Sequence, residues 1–331
     1  MFHPAPQSHR PTSVQDAVFL TKTERRDHCS LALRAQTTGA GKCRRGPAMG
    51  RAGKILFVCL ILSVVHLLPG CQTTPKTTFS TERPSHHTVT TKHFVIQSDV
   101  QLEKDNVLVR ELEAIHSQVF DSLHLPEQRD AVNVYLFSDE ASYRFYMHTT
   151  WRDLPPRRAY FVGTNRELAV YSFISPQVME DLRHEFTHGL LHATLQSVPL
   201  WLDEGLAEYF EVSSSTTGAV HAAHLRELRQ ADSENWSPNL YRLEMISDFR
   251  DLTHRDYAEC WAWVHFMLNS SDEASTVLLT YLEDLQTTKT PRRMLTSLES
   301  AVPGYFNDLQ AHVTQLQATQ TVAGNAAAFG E

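Results

Sequence analysis

Residues 184–210 read HEFTHGLLHATLQSVPLWLDEGLAEYF, and no other stretch limits the fold of this chain as tightly. Two helical runs meet at Pro199. In the first, Ser175 can cap and Pro176 can occupy the opening turn of a helix whose apolar stripe is Val178, Leu182, Phe186 and Leu190. His184 and His188 are four residues apart, so their imidazoles leave one side of that helix a single turn apart, with Glu185 about 100° round from His184. After Pro199, LWLDEGLAEYF reads as a second helix, which can fold back antiparallel and present Glu204 to the histidine pair. The chain therefore has to pack two helices face to face with polar side chains between them.

His-Glu-x-x-His is a known zinc-binding pattern, in which the two histidines bind the ion and the glutamate serves as general base. A third ligand is needed. His192 continues the i, i+4 series, but it stands about 12 Å along the helix from His184, too far for all three imidazoles to converge on one ion. It is expected to be packed or hydrogen-bonded nearby. Glu204 is the better third ligand.

HEFTH followed by WLDEGLAEY resembles the gluzincin metallopeptidases, in which the two histidines and a glutamate from a following helix hold zinc. Fifteen residues separate His188 from Glu204, fewer than in the aminopeptidase branch of that group. The resemblance is nearer to a group of exported bacterial proteins with a peptidase-like zincin domain and mostly unknown substrates. It is strong over residues 176–212. It implies Zn²⁺ on His184, His188 and Glu204, with Glu185 as the base toward a water that attacks a peptide carbonyl. Glu208, one turn beyond Glu204, is expected to accept the second N–H of a zinc-bound histidine. Tyr257, in RDYAECWAWVHFM, lies downstream much as a catalytic tyrosine does in the aminopeptidase branch. The apolar stripe of its helix suits core packing equally, and His265 and Tyr209 are alternative oxyanion donors.

The lead-in to these helices mixes both element types. KHFVIQS and AVNVYLF read as strands, residues 103–123 and 139–148 as helices, and AYFVGTNRELAVYSF as a hairpin turning at Gly163, Thr164 and Asn165. Helical runs follow at about 217–230, 255–269, 272–286 and 303–318. The expected fold class is α+β and zincin-like: a small mixed sheet with an edge hairpin, the two metal-bearing helices, and a helical C-terminal lobe. The domain is placed at residues 91–320, divided at 175/176, with a disordered tail at 321–331. In zincins an edge strand beside the metal pairs with an extended peptide, and the hairpin is suitably placed. Nothing resembles an exopeptidase clamp for a free amino terminus, which favours an endopeptidase acting on a peptide or protein. The rival reading is a catalytically silent zincin-like lipoprotein that binds peptides or a cell-envelope partner.

The front of the chain reads differently. From Met49, MGRAGKILFVCLILSVVHLLPGC has a basic start, an apolar run and a cysteine, the layout of a signal peptide at 49–70. LPGC resembles the lipobox of bacterial lipoproteins, with Pro69 as a departure, and implies a lipid on Cys71 and a site in the cell envelope outside the cytoplasm. Residues 1–48 precede that signal and read as a disordered leader, or as sequence upstream of a translation start at Met49. Residues 71–90, rich in Thr, Ser and Pro, read as a flexible tether in which His86 and His87 are solvated. The leader carries eight Lys/Arg against three Asp/Glu, while the whole chain has net charge −8, so the remainder is acidic and nucleic acid is excluded as a partner. Beyond Cys71 the domain keeps only Cys260, which rules out a disulfide framework and suits a buried thiol.

Overall fold

A nearly unbroken apolar run such as VNVYLF belongs where both faces of a sheet are covered. The computed structural model, which describes residues 17–20, 80–212 and 219–328, places it there. With elements labelled in chain order, five strands come from the lead-in: β2 (His87–Thr90), β3 (Phe94–Ser98), β4 (Val132–Phe137), β5 (Tyr160–Thr164) and β6 (Leu168–Phe173). A sixth, β1 (Ala17–Leu20), runs beside β5, and the spatial order is β1-β5-β6-β4-β3-β2. β4 is parallel to both β3 and β6, with Val134 opposite Ile96 and Val170; the remaining pairings are antiparallel.

Alternation along β4 sends Val132, Val134 and Leu136 into the main core and Tyr135 and Phe137 into a second, aromatic one. Helices α1 (Val107–Leu123) and α3 (Val178–Thr194) cover the first face. Tyr143, Tyr146 and Met147 of α2 (Glu140–Thr150) join Tyr135, Tyr160, Tyr171 and Phe173 on the other. Gly189 lets α3 lie close on β4, since a Cβ there would come within 2.8 Å of the Val132 side chain.

The rest is helical: α4 (Leu200–Glu211), α5 (Ala222–Ser233), α6 (Leu240–Glu244), a 3₁₀ turn (Phe249–Asp251), α7 (His254–Asn269), α8 (Asp272–Thr287), α9 (Met294–Ala301) and α10 (Tyr305–Ala328). Beyond its first residue α4 has no solvent face, because every residue from Trp201 to Glu211 is buried, and it packs against α3 and α7. Gly205 permits the second contact, as a Cβ at that position would meet the Cys260 carbonyl at 2.7 Å and Val264 at 2.8 Å. Cys260 is fully buried as a free thiol. α7 opens with a capping box in which Thr253 and Asp256 satisfy one another's backbone N–H groups.

The α+β class is as expected, with differences in detail. Gln177, not Ser175, is the N-cap of α3. Ser175 Oγ accepts the Gln177 N–H at 3.2 Å and its carbonyl accepts the Val178 N–H, so Ser175 and Pro176 form a turn ahead of the helix. The end of the expected tether, His87–Thr90, is a strand, because pairing with β3 supplies the order that a Thr-rich composition does not. The hairpin is present but is not at the sheet's edge, since β1 from the expected leader pairs with β5. α10 continues to Ala328 through part of the expected tail, and the short α6 and α9 were not foreseen. The signal segment 49–70 and Cys71 lie outside the described residues. Among the described residues no helix is long and apolar enough to cross a membrane.

Candidate metal centre

The centre is built where α4 folds back on α3. The link between them is pinned by the Gln196 N–H on the Leu285 carbonyl (2.8 Å), and extended backbone at Pro199 (φ −60°, ψ 139°) starts α4. Arg183 fixes the spacing of the two helices. Its buried guanidinium donates to the carbonyls of Phe210 (2.9 Å) and Glu211 (3.1 Å) at the C-terminal end of α4, and to Glu111 (2.5 Å) and Gln118 (2.9 Å) on α1. A cation at that helix end also opposes the negative pole of its dipole.

His184, His188 and Glu204 come together as expected. His184 Nε2 lies 3.2 Å from His188 Nε2, and Glu204 Oε2 lies 3.6 and 3.8 Å from them. A point equidistant from these three atoms is about 2.1 Å from each, the bond length of zinc to imidazole nitrogen and carboxylate oxygen. All three side chains are buried, and neither Glu204 oxygen has a hydrogen-bond donor. A buried carboxylate without donors is costly unless a cation faces it. The donor set and its spacing therefore fit a divalent metal ion.

Burial pushes the Glu204 carboxyl above its usual range, against the pull of His184 and His188. Burial alone would lower His184, but the carboxylates of Glu204 and Glu211 that face its two nitrogens outweigh it and raise the imidazole well above its ordinary value. Asp203 behaves in the opposite way: burial would raise it, yet His188 and His192 hold it below the carboxylate range.

Glu185 is fully buried on the sheet side of α3, where its Oε2 accepts the Phe161 N–H of β5 at 2.6 Å. That bond fixes the carboxylate beside the histidine pair. The second nitrogens of the histidines also meet carboxylates, though not the expected one. His184 Nδ1 lies 3.0 Å from Glu211 Oε2, and His188 Nδ1 lies 2.9 Å from Asp203 Oδ1. Glu208 turns instead to His224 Nε2 on α5, at 2.8 Å. The correction is one of helix crossing, since Glu204, Glu208 and Glu211 share a face of α4 and the tilt against α3 selects Glu211. His192 does not approach the centre; its Nε2 lies 3.0 Å from Asp203 Oδ2 and its ring stacks on Phe161.

Tyr257 lies on α7, which packs against α4; burial first and the Glu204 charge second raise its hydroxyl far above the usual range and keep it protonated. The two alternatives are engaged elsewhere: the Tyr209 hydroxyl accepts from Asn269 at 3.2 Å, and His265 Nδ1 lies 2.8 Å from His312 Nε2.

Sequence reasoning did not single out Asp203, Glu211, His221 or His224. A signal existed for each, since Asp203 adjoins Glu204, Glu211 is two turns beyond it, and HAAH carries a His pair at i, i+3.

A family described as "Protein of unknown function (DUF1570)" matches residues 179–291. That span runs from the start of α3 past α8 and contains His184, Glu185, His188, Asp203, Glu204, Glu208 and Glu211, as well as Tyr257. No curated protein matches the chain.

Proposed function

We propose that the chain is a zinc-dependent peptidase of gluzincin type with a zincin-like fold, carried outside the cytoplasm on a lipid at Cys71. The observation that carries this reading is the triangle of His184 Nε2, His188 Nε2 and Glu204 Oε2, whose spacing suits one zinc ion, with Glu185 fixed beside it. A bare structural ion would not call for the buried Glu185. The lipid anchor rests on the signal-like segment and LPGC alone.

When bound, zinc supplies Lewis acidity that polarises a carbonyl and makes water more acidic. Glu185 takes the proton of the attacking water and delivers it to the leaving amine. The Phe161 N–H holds that carboxylate in place and ties the base to β5. Glu211 and Asp203 orient the two histidines. In this reading Tyr257, kept protonated, serves as the donor toward negative charge building on the carbonyl oxygen.

The deciding experiment compares the purified full chain with Glu185→Gln, reading zinc content by elemental analysis and cleavage of a mixed peptide library by mass spectrometry. The variant should keep its zinc and lose on the order of 10²–10⁴-fold in cleavage rate. Equal cleavage by the variant, or a wild-type chain that takes up no zinc, ends the reading.

A further inference from the structure

Beside the first centre, and joined to it by Glu211, is a second group of ligating atoms. Glu208 and Glu211 are an i, i+3 pair on α4, and His221 and His224 are an i, i+3 pair at the start of α5; such pairs share a helix face. The two imidazoles stack with centroids 3.8 Å apart and planes 23° from parallel, so the rings present their edges side by side. Both Nε2 atoms face the carboxylates. Glu208 Oε2 is 2.8 Å from His224 Nε2 and 3.8 Å from His221 Nε2, and Glu211 Oε1 is 3.4 Å from His221 Nε2. Little of this cluster meets solvent, with side-chain exposures of 12% or less for all four residues.

We propose that Glu208, Glu211, His221 and His224 bind a second divalent transition-metal ion of the zinc class. Ligand atoms bonded at about 2.0–2.2 Å in a tetrahedron stand roughly 3.3–3.6 Å apart, and the three carboxylate–imidazole separations of 2.8, 3.4 and 3.8 Å bracket that range. A set of two imidazole nitrogens and two carboxylate oxygens suits zinc and its neighbours rather than magnesium or calcium. Charge points the same way. Glu185, Asp203, Glu204, Glu208 and Glu211 gather five carboxylates within two buried helices, more negative charge than one divalent ion offsets. Glu211 joins the sites, with Oε2 on His184 Nδ1 and Oε1 toward His221. The second ion shares no ligand with the first and connects to it through one imidazole and one carboxylate. Loading it asks one local change of His221, whose Nδ1 now accepts the His224 N–H at 3.2 Å and would turn from acceptor to donor.

The test is zinc stoichiometry of the full chain after chelator treatment and reloading, with thermal melting as the check on folding. The wild type should hold two equivalents. His221→Ala combined with His224→Ala should hold one, and Glu204→Ala should hold one, so the two sites fail separately. Glu208→Gln serves as a second probe if the double variant does not fold, and should weaken one equivalent at least tenfold. A single equivalent in the wild type, or two retained in a folded His221→Ala/His224→Ala chain or undiminished in Glu208→Gln, overturns the proposal. Loss of one equivalent in the histidine variant but none in Glu204→Ala would uphold this site and reject the first.

Discussion

Asp203 Oδ1 lies 2.9 Å from His188 Nδ1, and its other oxygen lies 3.0 Å from His192 Nε2. One carboxylate thus holds two turns of α3 in register, and a residue outside the ligand set determines how His188 is aimed. Asp203→Asn keeps the shape and removes the charge. It should weaken zinc at the first centre about 10–100-fold, measured by competition with a chromophoric chelator. An unchanged affinity would strip Asp203 of this part.

Gly205 is where α4 comes closest to α7. Gly205→Ala places a methyl group against the Cys260 carbonyl, which is backbone and cannot turn aside. We expect a loss of about 1–3 kcal/mol in urea unfolding, together with weaker zinc, because the next residue back is Glu204. A variant as stable as wild type would mean that the helices part more easily than their packing implies.

Arg183→Met removes five donors from the junction of α1, α3 and α4 and leaves Glu111 without its ion pair. The expected cost is about 3 kcal/mol, read from denaturant melts at constant zinc. Arg183→Lys should recover little, since an ammonium cannot reach the α4 carbonyls and both α1 side chains at once.

Stability should fall in mild acid for reasons apart from the metal. Burial first and the charge of His265 second push His312 down to about 4 from an ordinary 6.5. Burial and then His93 bring His116 to about 4 as well. Below pH 6.5 the unfolded chain binds protons that the folded form refuses until about pH 4, so stability is full above 6.5 and drains away across that window. The melting temperature of the wild type, followed down through this range, should fall more steeply than that of His312→Gln. Parallel curves would contradict the assignment.

Much of the first centre was legible in the sequence because its information is local. The spacing of His184 and His188 is a property of any α-helix, and Pro199 announces the reversal that brings Glu204 back. Choosing between Glu208 and Glu211 was a different problem. Both lie on the face that carries Glu204, and only the angle at which α4 crosses α3 tells them apart. His221 and His224 were harder still, since their meeting with α4 depends on where α5 begins after the second helix ends. The strand at His87–Thr90 was hidden for a related reason, as its residues are poor in apolar character and its order comes from β3. At the sheet's centre, where β4 is apolar on both of its faces, sequence and structure agree.

From Trp201 to Glu211, α4 has no position that faces water. A surface helix can drift in sequence on its outer side while its inner side stays fixed; here each side chain from Trp201 to Glu211 already has a neighbour that must change with it. Evolution therefore cannot retune the ligands without also revising the packing of the lobe, and a designer who wants a different metal will have to redraw α3, α4 and α7 together.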